Sequence, residues 1–288
     1  MWYVCTLSEV TDSGTLSFGD IYYDSKLVTF DGTDHTKVIS LTNNNQGTPQ
    51  VDTKIAGNLY MYLYNNGSNS PVNTSQTAIQ VLQDAGIDPA QQWTSTDLMS
   101  SAAFMIVKVV YNQDASTTNL GQVTVKMTNS LTKPGDVLYD YFTNSRYGCA
   151  IPASQVDTTS LTALNTYSDE LITYIPVGGG TATQARYRIN GPINTGNNCL
   201  TNIQQLVDAC DSWLQYSELT GKWKVVINQS YTDYTTFNDL FLLDSNNIVG
   251  GIDVNPLDLN STYNSVEVQY PNTNIKDQTD FRVINLID

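Results

Sequence analysis

The first third of the chain alternates short runs of strand-forming residues with polar turns. Residues 19–24 and Lys26–Phe30 are two such runs, and Asp31-Gly32 supplies a turn signal after them. Aromatic and β-branched residues fit the half-buried surface of a sheet, whereas Gly, Asp and Asn favour turns. The pattern therefore predicts β-hairpins over this part of the chain.

One short helix and two further strands are predicted before residue 130. Ser75 is a suitable helix N-cap and Gly86 is a suitable helix end. Strands are predicted at 104–111 and 122–127, and in the second of them apolar residues alternate with polar ones. The polar segment 112–121 has the composition of a long hairpin loop, so these two strands are expected to pair.

The chain becomes more helical after the break at Lys133-Pro134-Gly135. One helix is indicated by apolar residues at helical spacing, which are Leu161, Leu164, Tyr167, Leu171 and Ile172. A longer helix is predicted from about 198 to 216, because its apolar positions form one stripe: Leu200, Ile203, Leu206, Val207, Cys210, Trp213 and Leu214. Such a stripe must be covered by a sheet or another helix, so these side chains are expected in a core.

Strands return in the last part of the chain. Trp223, Val225 and Ile227 share one face of a strand at 222–227, and a similar alternation occurs at 264–270. The predicted fold class is mainly β with α+β character and a few packed helices. The expected regions are a β-rich N-terminal region with one short helix at 1–130, an α+β domain at 131–228 and a β-rich continuation at 229–288.

Composition supports a β-rich globular protein and excludes one class of function. The 288 residues include 35 Thr, 28 Asn and 18 Tyr, which favour strands and turns over helix interiors. There are 13 Lys and Arg against 28 Asp and Glu, so the formal net charge is −15. Affinity for a phosphate backbone comes mainly from clustered Lys and Arg, and stable nucleic-acid binding is therefore not expected.

The targeting and cysteine signals indicate a protein made in a reducing cytosol. The chain has no run of 18 or more apolar residues and no basic start followed by an apolar stretch, so neither a membrane span nor a signal peptide is expected. Cys5, Cys149, Cys199 and Cys210 are widely separated and show no CxxC spacing. This favours buried free thiols over a disulfide or a zinc site.

Candidate catalytic groups do not form a recognisable set. The single His35 lies in the polar turn 31–35 with no nucleophile signature beside it, so a surface histidine is favoured. Asp169-Glu170 and the pair Asp253 and Asp258 are carboxylates of the kind that glycosidases use. Residues adjacent in sequence point in different directions, however, and a solvated acidic surface is favoured for them.

Two loops and the tryptophans also lack a ligand-binding pattern. Residues 31–34 lack the alternating ligands and distal Glu of an EF-hand, and 178–181 lacks the Gly-Lys-Ser/Thr that holds phosphate. Trp213 and Trp223 are expected in the core from their helix and strand positions, although exposed tryptophans stack on sugars. The sequence therefore predicts no catalytic, cofactor-binding or metal-binding residue, no cofactor, and a protein that is not an enzyme.

Residues 137–152 carry the most specific pattern in the chain. The sequence VLYDYFTNSRYGCAIP resembles the signature of the central tail tip (host specificity, J-like) protein family of long-tailed bacteriophages. Further segments agree with the family in order, at 155–157, 186–191, 208–213, 221–223, 247–250 and 263–268. The resemblance is specific over about 131–275 and looser before it. Ser145 stands where the family usually has Pro.

The resemblance implies a virion structural subunit of the tail tip hub, which closes the tail tube. It implies hub-type β-barrel-like domains with helices packed outside, with 131–228 as a hub domain and 229–288 as its continuation. It further implies a homotrimer that contacts the tail tube, distal tail proteins and the tape measure protein, made in the host cytoplasm and located at the tail tip. An acidic channel lining would repel DNA and ease its passage.

Within the signature itself the residues have structural roles. Leu138, Tyr139 and Phe142 are predicted on one face of a short helix, Asn144 and Arg146 at its end, and Gly148 in a conformation closed to other residues. The alternative function is a secreted or surface carbohydrate-binding β-protein, and an envelope depolymerase using Asp169 or Glu170 ranks third.

Overall fold

A computed structural model describes residues 1–12, 14–44, 48–86, 88, 92–174, 180–229, 250, 251, 255, 263, 265–272 and 278–285. Contacts divide the chain into two compact units, Met1–Gln229 and Ser230–Asp288. Strands account for 38% of the structure and helices for 18%, which confirms the mainly β, α+β fold class.

Antiparallel strands and short helices form the regular secondary structure of the described residues. The strands are β1 (Trp2–Glu9), β2 (Leu16–Tyr23), β3 (Lys26–Phe30), β4 (Val38–Asn43), β5 (Gln50–Asp52), β6 (Leu59–Tyr64), β7 (Ala102–Val109), β8 (Val123–Asn129), β9 (Leu171–Tyr174), β10 (Ala182–Ala185), β11 (Ser212–Ser217), β12 (Lys222–Ile227), β13 (Ser265–Asn272) and β14 (Gln278–Asn285). The helices are α1 (Ala78–Asp84), α2 (Pro134–Thr143), α3 (Thr158–Asp169) and α4 (Cys199–Asp208), with a short 3₁₀ helix at Ala153–Gln155.

Two antiparallel sheets enclose the first core, in residues 1–130. Their strand orders are β1-β7-β6 and β5-β4-β3-β2-β8. Both sheets contribute to one group of buried side chains, the sandwich core: Ile21, Tyr23, Val28, Val38, Leu41, Ile55, Leu59, Met61, Leu63, Met105, Val107 and Val109. The predicted hairpin of β2 and β3 is confirmed, and its turn residues Asp24 and Ser25 both have positive φ, as tight hairpin turns require.

Strand β7 is the centre of this region because it is covered on both faces. Met105 and Val107 face the sandwich core, whereas Phe104 and Ile106 pack with Val81 of α1 on the opposite face. A strand buried on both faces needs a continuous apolar run, which is what β7 contains. The N-cap of α1 is Thr77, two residues later than the predicted Ser75, and the side chains of Thr77 and Gln80 form a capping box.

The predicted pairing of β7 with β8 is wrong. Strand β7 lies between β1 and β6, whereas β8 is an edge strand beside β2 in the other sheet. The segment 112–121 therefore crosses from one sheet to the other and is not a hairpin loop. The burial patterns explain the difference: β7 requires cover on both faces, while β8 alternates half-buried and exposed residues and needs cover on one face.

Helices α2, α3 and α4 and the hairpin β11–β12 enclose the second core, in residues 131–228. We call it the helical core, and its buried members are Val137, Leu138, Tyr141, Phe142, Val156, Leu161, Leu164, Ile203, Leu206, Val207, Cys210 and Val225. Tyr139, predicted on one face of α2 with Leu138 and Phe142, is 38% exposed, whereas those two side chains are fully buried. Gly135 lies where α2 meets α3, and its N–H donates to Asn165 Oδ1 at 2.8 Å.

The predicted helix over 198–216 is shorter than expected. Helix α4 ends at Asp208, Asp211 adopts a left-handed conformation with φ of 48°, and β11 begins at Ser212. The apolar stripe is correct from Ile203 to Cys210, which is fully buried, whereas Leu200 is 66% exposed and Trp213 lies on a strand and is 53% exposed. The prediction failed because the first strand residues happen to continue the helical spacing.

The helix predicted through Leu171 and Ile172 also ends early. Helix α3 stops at Asp169, and Glu170 adopts a backbone conformation outside the helical region. Leu171 begins β9, which pairs with β10, and it is 69% exposed. Apolar spacing alone did not distinguish the last helical turn from the first strand residues.

The sheets in the described part of the chain are open. The barrel-like domain that the resemblance implies is therefore not present there as a closed barrel. In the second unit, β13 and β14 form an antiparallel hairpin, which confirms the strand predicted over 264–270, apart from Asn264, which lies outside the described residues. None of the helices in the described residues has the length and hydrophobicity needed to cross a bilayer.

Replacing Gly135 with Ala is expected to destabilise the helical core. A Cβ atom there would overlap Leu161 O of α3 and lie 2.8 Å from Asn165 Oδ1. Overpacking of this kind costs about 1–3 kcal/mol of unfolding free energy, measured by urea titration. Gly32→Ala is the control, since no atom lies within 4 Å of its Cβ position. Equal stability of the two variants would contradict this account of the α2–α3 contact.

Candidate functional site at the junction of the two cores

The carboxylates singled out in the sequence are held in surface ion pairs. Asp169 accepts from Lys133 Nζ at 2.6 Å and from Arg188 at 2.5 Å, and Glu170 pairs with Arg186 at 2.7 Å. The hydrogen bond from Lys133, and that from Arg188, lower the pKa of Asp169. An acid whose charged form is favoured in this way is poorly suited to donate a proton at neutral pH. Asp253 and Asp258 lie outside the described residues.

The turn around His35 is organised by its own carboxylates. Asp31 Oδ1 accepts from the N–H groups of Thr33 at 2.8 Å and Asp34 at 3.1 Å, and these hydrogen bonds lower the pKa of Asp31. His35 is exposed, with Nδ1 3.2 Å from Asp31 O, in agreement with a surface histidine. The described residues contain no group of three or more His, Cys, Asp or Glu placed to hold a metal ion. Gly178 and Gly179 lie outside them.

The signature segment instead forms a polar junction between the two cores. Asn144 is the C-cap residue of α2 and is 7% exposed. Its Oδ1 accepts from the N–H groups of Arg146 at 2.8 Å and Tyr147 at 3.1 Å, which turns the chain after the helix. Its Nδ2 donates to Asp12 Oδ2 at 2.8 Å, so the same amide also contacts the segment that follows β1.

Arg146 and Tyr147 add contacts from the same turn to the segment 9–12. The Arg146 guanidinium lies 2.6 Å from Glu9 Oε1 and donates to Val10 O at 3.1 Å. The Tyr147 hydroxyl donates to Asp140 Oδ2 at 2.7 Å and also lies 3.3 Å from the N–H of Asp12. Because the Arg146–Glu9 pair is exposed, it contributes little stability, at most about 1 kcal/mol. The buried Asn144 amide and the Tyr147 hydroxyl therefore contribute most of the stability of the junction.

Gly148 lets the turn fold back tightly onto α2. A Cβ atom at Gly148 would overlap Tyr141 O and lie 2.8 Å from Asn144 O. The following residues hydrogen-bond the end of the helix, with Cys149 N–H donating to Tyr141 O at 2.9 Å and Ile151 N–H to Phe142 O at 2.8 Å. Glycine is required here by close packing, whereas the sequence predicted an unusual backbone conformation.

A cleft of about 660 Å³ lies beside the junction. Its walls come from β1 and β8, from α2, and from the segment 189–195, and they are mainly apolar. Asp140 and Tyr147 line it and are hydrogen-bonded to each other. This hydrogen bond ties the turn after α2 back to the helix at the edge of the cleft.

The sequence located the signature segment but missed its long-range contacts. Asn144 and Arg146 were predicted at the end of α2, and Asn144 is its C-cap. Their partners Glu9, Val10 and Asp12 lie more than 130 residues earlier in the chain and follow no pattern that pairs them. No family model matches the chain, and no curated protein matches it.

Asn144→Ala is expected to lower the free energy of unfolding by about 2–3 kcal/mol. The change removes three hydrogen bonds, one of them to a carboxylate, and leaves two backbone N–H groups without that acceptor. Urea titration measures the effect, and Asn190→Ala, at an exposed position, is the control. A loss below about 0.5 kcal/mol would contradict the importance of the junction.

Stability is expected to fall as the pH rises above about 9. Burial and donation to Asp140 raise the pKa of Tyr147, and burial, together with the neighbouring Cys199, raises the pKa of Cys149 to about 12. The folded state therefore keeps both protons at pH values at which the unfolded chain has released them. The stability that these two groups contribute below this pH range is lost above it. Urea titrations between pH 7 and 11 should show a shallower decline for Tyr147→Phe; an unchanged decline would refute this role for Tyr147.

Proposed function

We propose that the chain is a structural subunit of a bacteriophage tail tip hub. In this role it closes the tail tube and links it to the parts that recognise the host. It acts as a homotrimer in contact with the tail tube, distal tail proteins and the tape measure protein. It is made in the host cytoplasm and located at the tail tip of the virion, and no catalytic step belongs to this role.

The supporting observation is that separate family-like segments contribute to one core. Residues 137–152 supply Val137, Leu138, Tyr141 and Phe142, and 155–157 supplies Val156. Tyr187 and Ile189, from 186–191, pack against the same core, and the segment 221–223 leads into Val225. Segments that are far apart in sequence but build one core are expected to be retained together in the members of one family.

The charges and the junction also support a scaffold role. Four cationic side chains, Lys133, Arg146, Arg186 and Arg188, are in ion pairs with carboxylates. With a net charge of −15 the chain has little attraction for DNA, which suits a component that DNA must pass. The junction fixes two cores relative to each other, as a load-transmitting subunit requires.

One observation favours the second candidate, a carbohydrate-binding protein. Trp213 is 53% exposed on the outer face of the β11–β12 hairpin. Lys224 pairs with the residue two positions after Trp213, and Lys222 pairs with the residue four positions after it. Because side chains alternate between the two faces of a strand, both lysines lie on the same face as Trp213. An exposed indole on the same strand face as two lysines is suited to binding a sugar chain that carries acidic groups.

Electron cryomicroscopy of virions of the phage that encodes the chain tests the proposal. Tails labelled with an antibody against the chain should show three copies at the distal end of each tail. Absence of the chain from virions would overturn the tail tip role. In that case binding of acidic glycans on an array, lost on Trp213→Ala and kept on Trp93→Ala, would establish the second candidate; Trp93 packs against the buried side chains between α1 and β7.

A further inference from the structure

Two cysteines distant in sequence lie side by side next to the signature turn. Cys149 follows Gly148 in the turn after α2, and Cys199 is the first residue of α4. Cys199 Sγ donates to Gly148 O at 3.8 Å, and Gly148 immediately precedes Cys149 in the chain. The two cysteines are therefore neighbours in the folded chain, whereas the sequence favoured buried free thiols.

The two thiols differ in their access to solvent. Cys199 is exposed, whereas Cys149 is half-buried. Cys210, by contrast, is fully buried and lies 3.2 Å from Ser212 Oγ, and Cys5 is half-buried in β1. A reagent from solution therefore reaches Cys199 most easily, and Cys149 is placed to react with whatever forms on it.

We propose that Cys149 and Cys199 form an intramolecular disulfide when the folded chain meets a small-molecule disulfide such as oxidised glutathione. The Cys199 thiolate attacks one sulfur of the reagent, and the first glutathione thiolate leaves and takes up a proton. The Cys149 thiolate then attacks the Cys199 sulfur of the mixed disulfide and displaces the second glutathione. The protein loses two protons and two electrons, and the oxidised glutathione becomes two thiols. This inference does not depend on the proposed tail tip role.

The second step is expected to limit the rate. Burial raises the pKa of Cys149 and persists after Cys199 has entered the mixed disulfide, so only a small fraction of Cys149 is thiolate at neutral pH. The titratable groups that face it are Cys199 from α4 and Tyr141 from α2. Ring closure should therefore accelerate by about tenfold for each unit of pH between 7 and 9, in proportion to the Cys149 thiolate.

The disulfide would join the signature turn to α4 across the intervening chain. The closed loop contains α3, β9 and β10, and cross-linking a loop of this length restricts the unfolded chain. The oxidised protein is expected to unfold at a Tm about 5–10 °C above that of the reduced protein. The bond would also hold the turn that carries Asn144 and Tyr147 against the helical core.

Peptide mapping of the full chain after treatment with oxidised glutathione tests the proposal. The expected product is a linked peptide pair containing Cys149 and Cys199, with the Tm rise abolished by Cys199→Ser and kept in Cys5→Ser. A stable mixed disulfide on Cys199 without the linked pair would overturn the proposal, as would a link to Cys5 or Cys210. Mapping of the wild-type chain decides the matter even if a variant fails to fold.

Discussion

The side-chain amide of Asn144 joins three parts of the chain in one buried place. Its oxygen ends helix α2 by accepting from two backbone N–H groups, and its nitrogen donates to Asp12 beyond β1. An amide can do both, because it carries an acceptor oxygen and two N–H donors. The turn that presents Arg146 and Tyr147 to the segment 9–12 depends on this group, and so does the relation of the sandwich core to the helical core.

The parts of the fold that depend on local patterning could be predicted from the sequence. The β2–β3 hairpin, the apolar stripe from Ile203 to Cys210, and the strand β12 follow from periodicity and turn residues. Errors occurred where a helix passes directly into a strand, at Asp208–Ser212 and at Asp169–Leu171, because apolar spacing continues across the change. Long-range pairing was also missed, since β7 has the composition of any apolar strand and nothing local assigns it to the centre of a sheet.

In the candidate site, too, local features could be predicted from the sequence and tertiary contacts could not. The signature and its helix were identified from sequence, and Asn144 occupies the predicted end of the helix. Its contact with Asp12, and the meeting of Cys149 with Cys199, depend on tertiary packing over about 130 and 50 residues. Gly148 was correctly singled out but for a different reason, since the close approach of Tyr141 O, rather than a left-handed backbone, excludes a side chain.

We expect the junction to make the sandwich core and the helical core one cooperative structure. Hydrogen exchange across urea concentrations below the unfolding transition tests it most directly, by comparing buried amides of the two cores. Val107 in β7 and Phe142 in α2 are expected to exchange with the same unfolding free energy and the same urea dependence. Exchange of the two amides through separate openings, with different free energies, would contradict it.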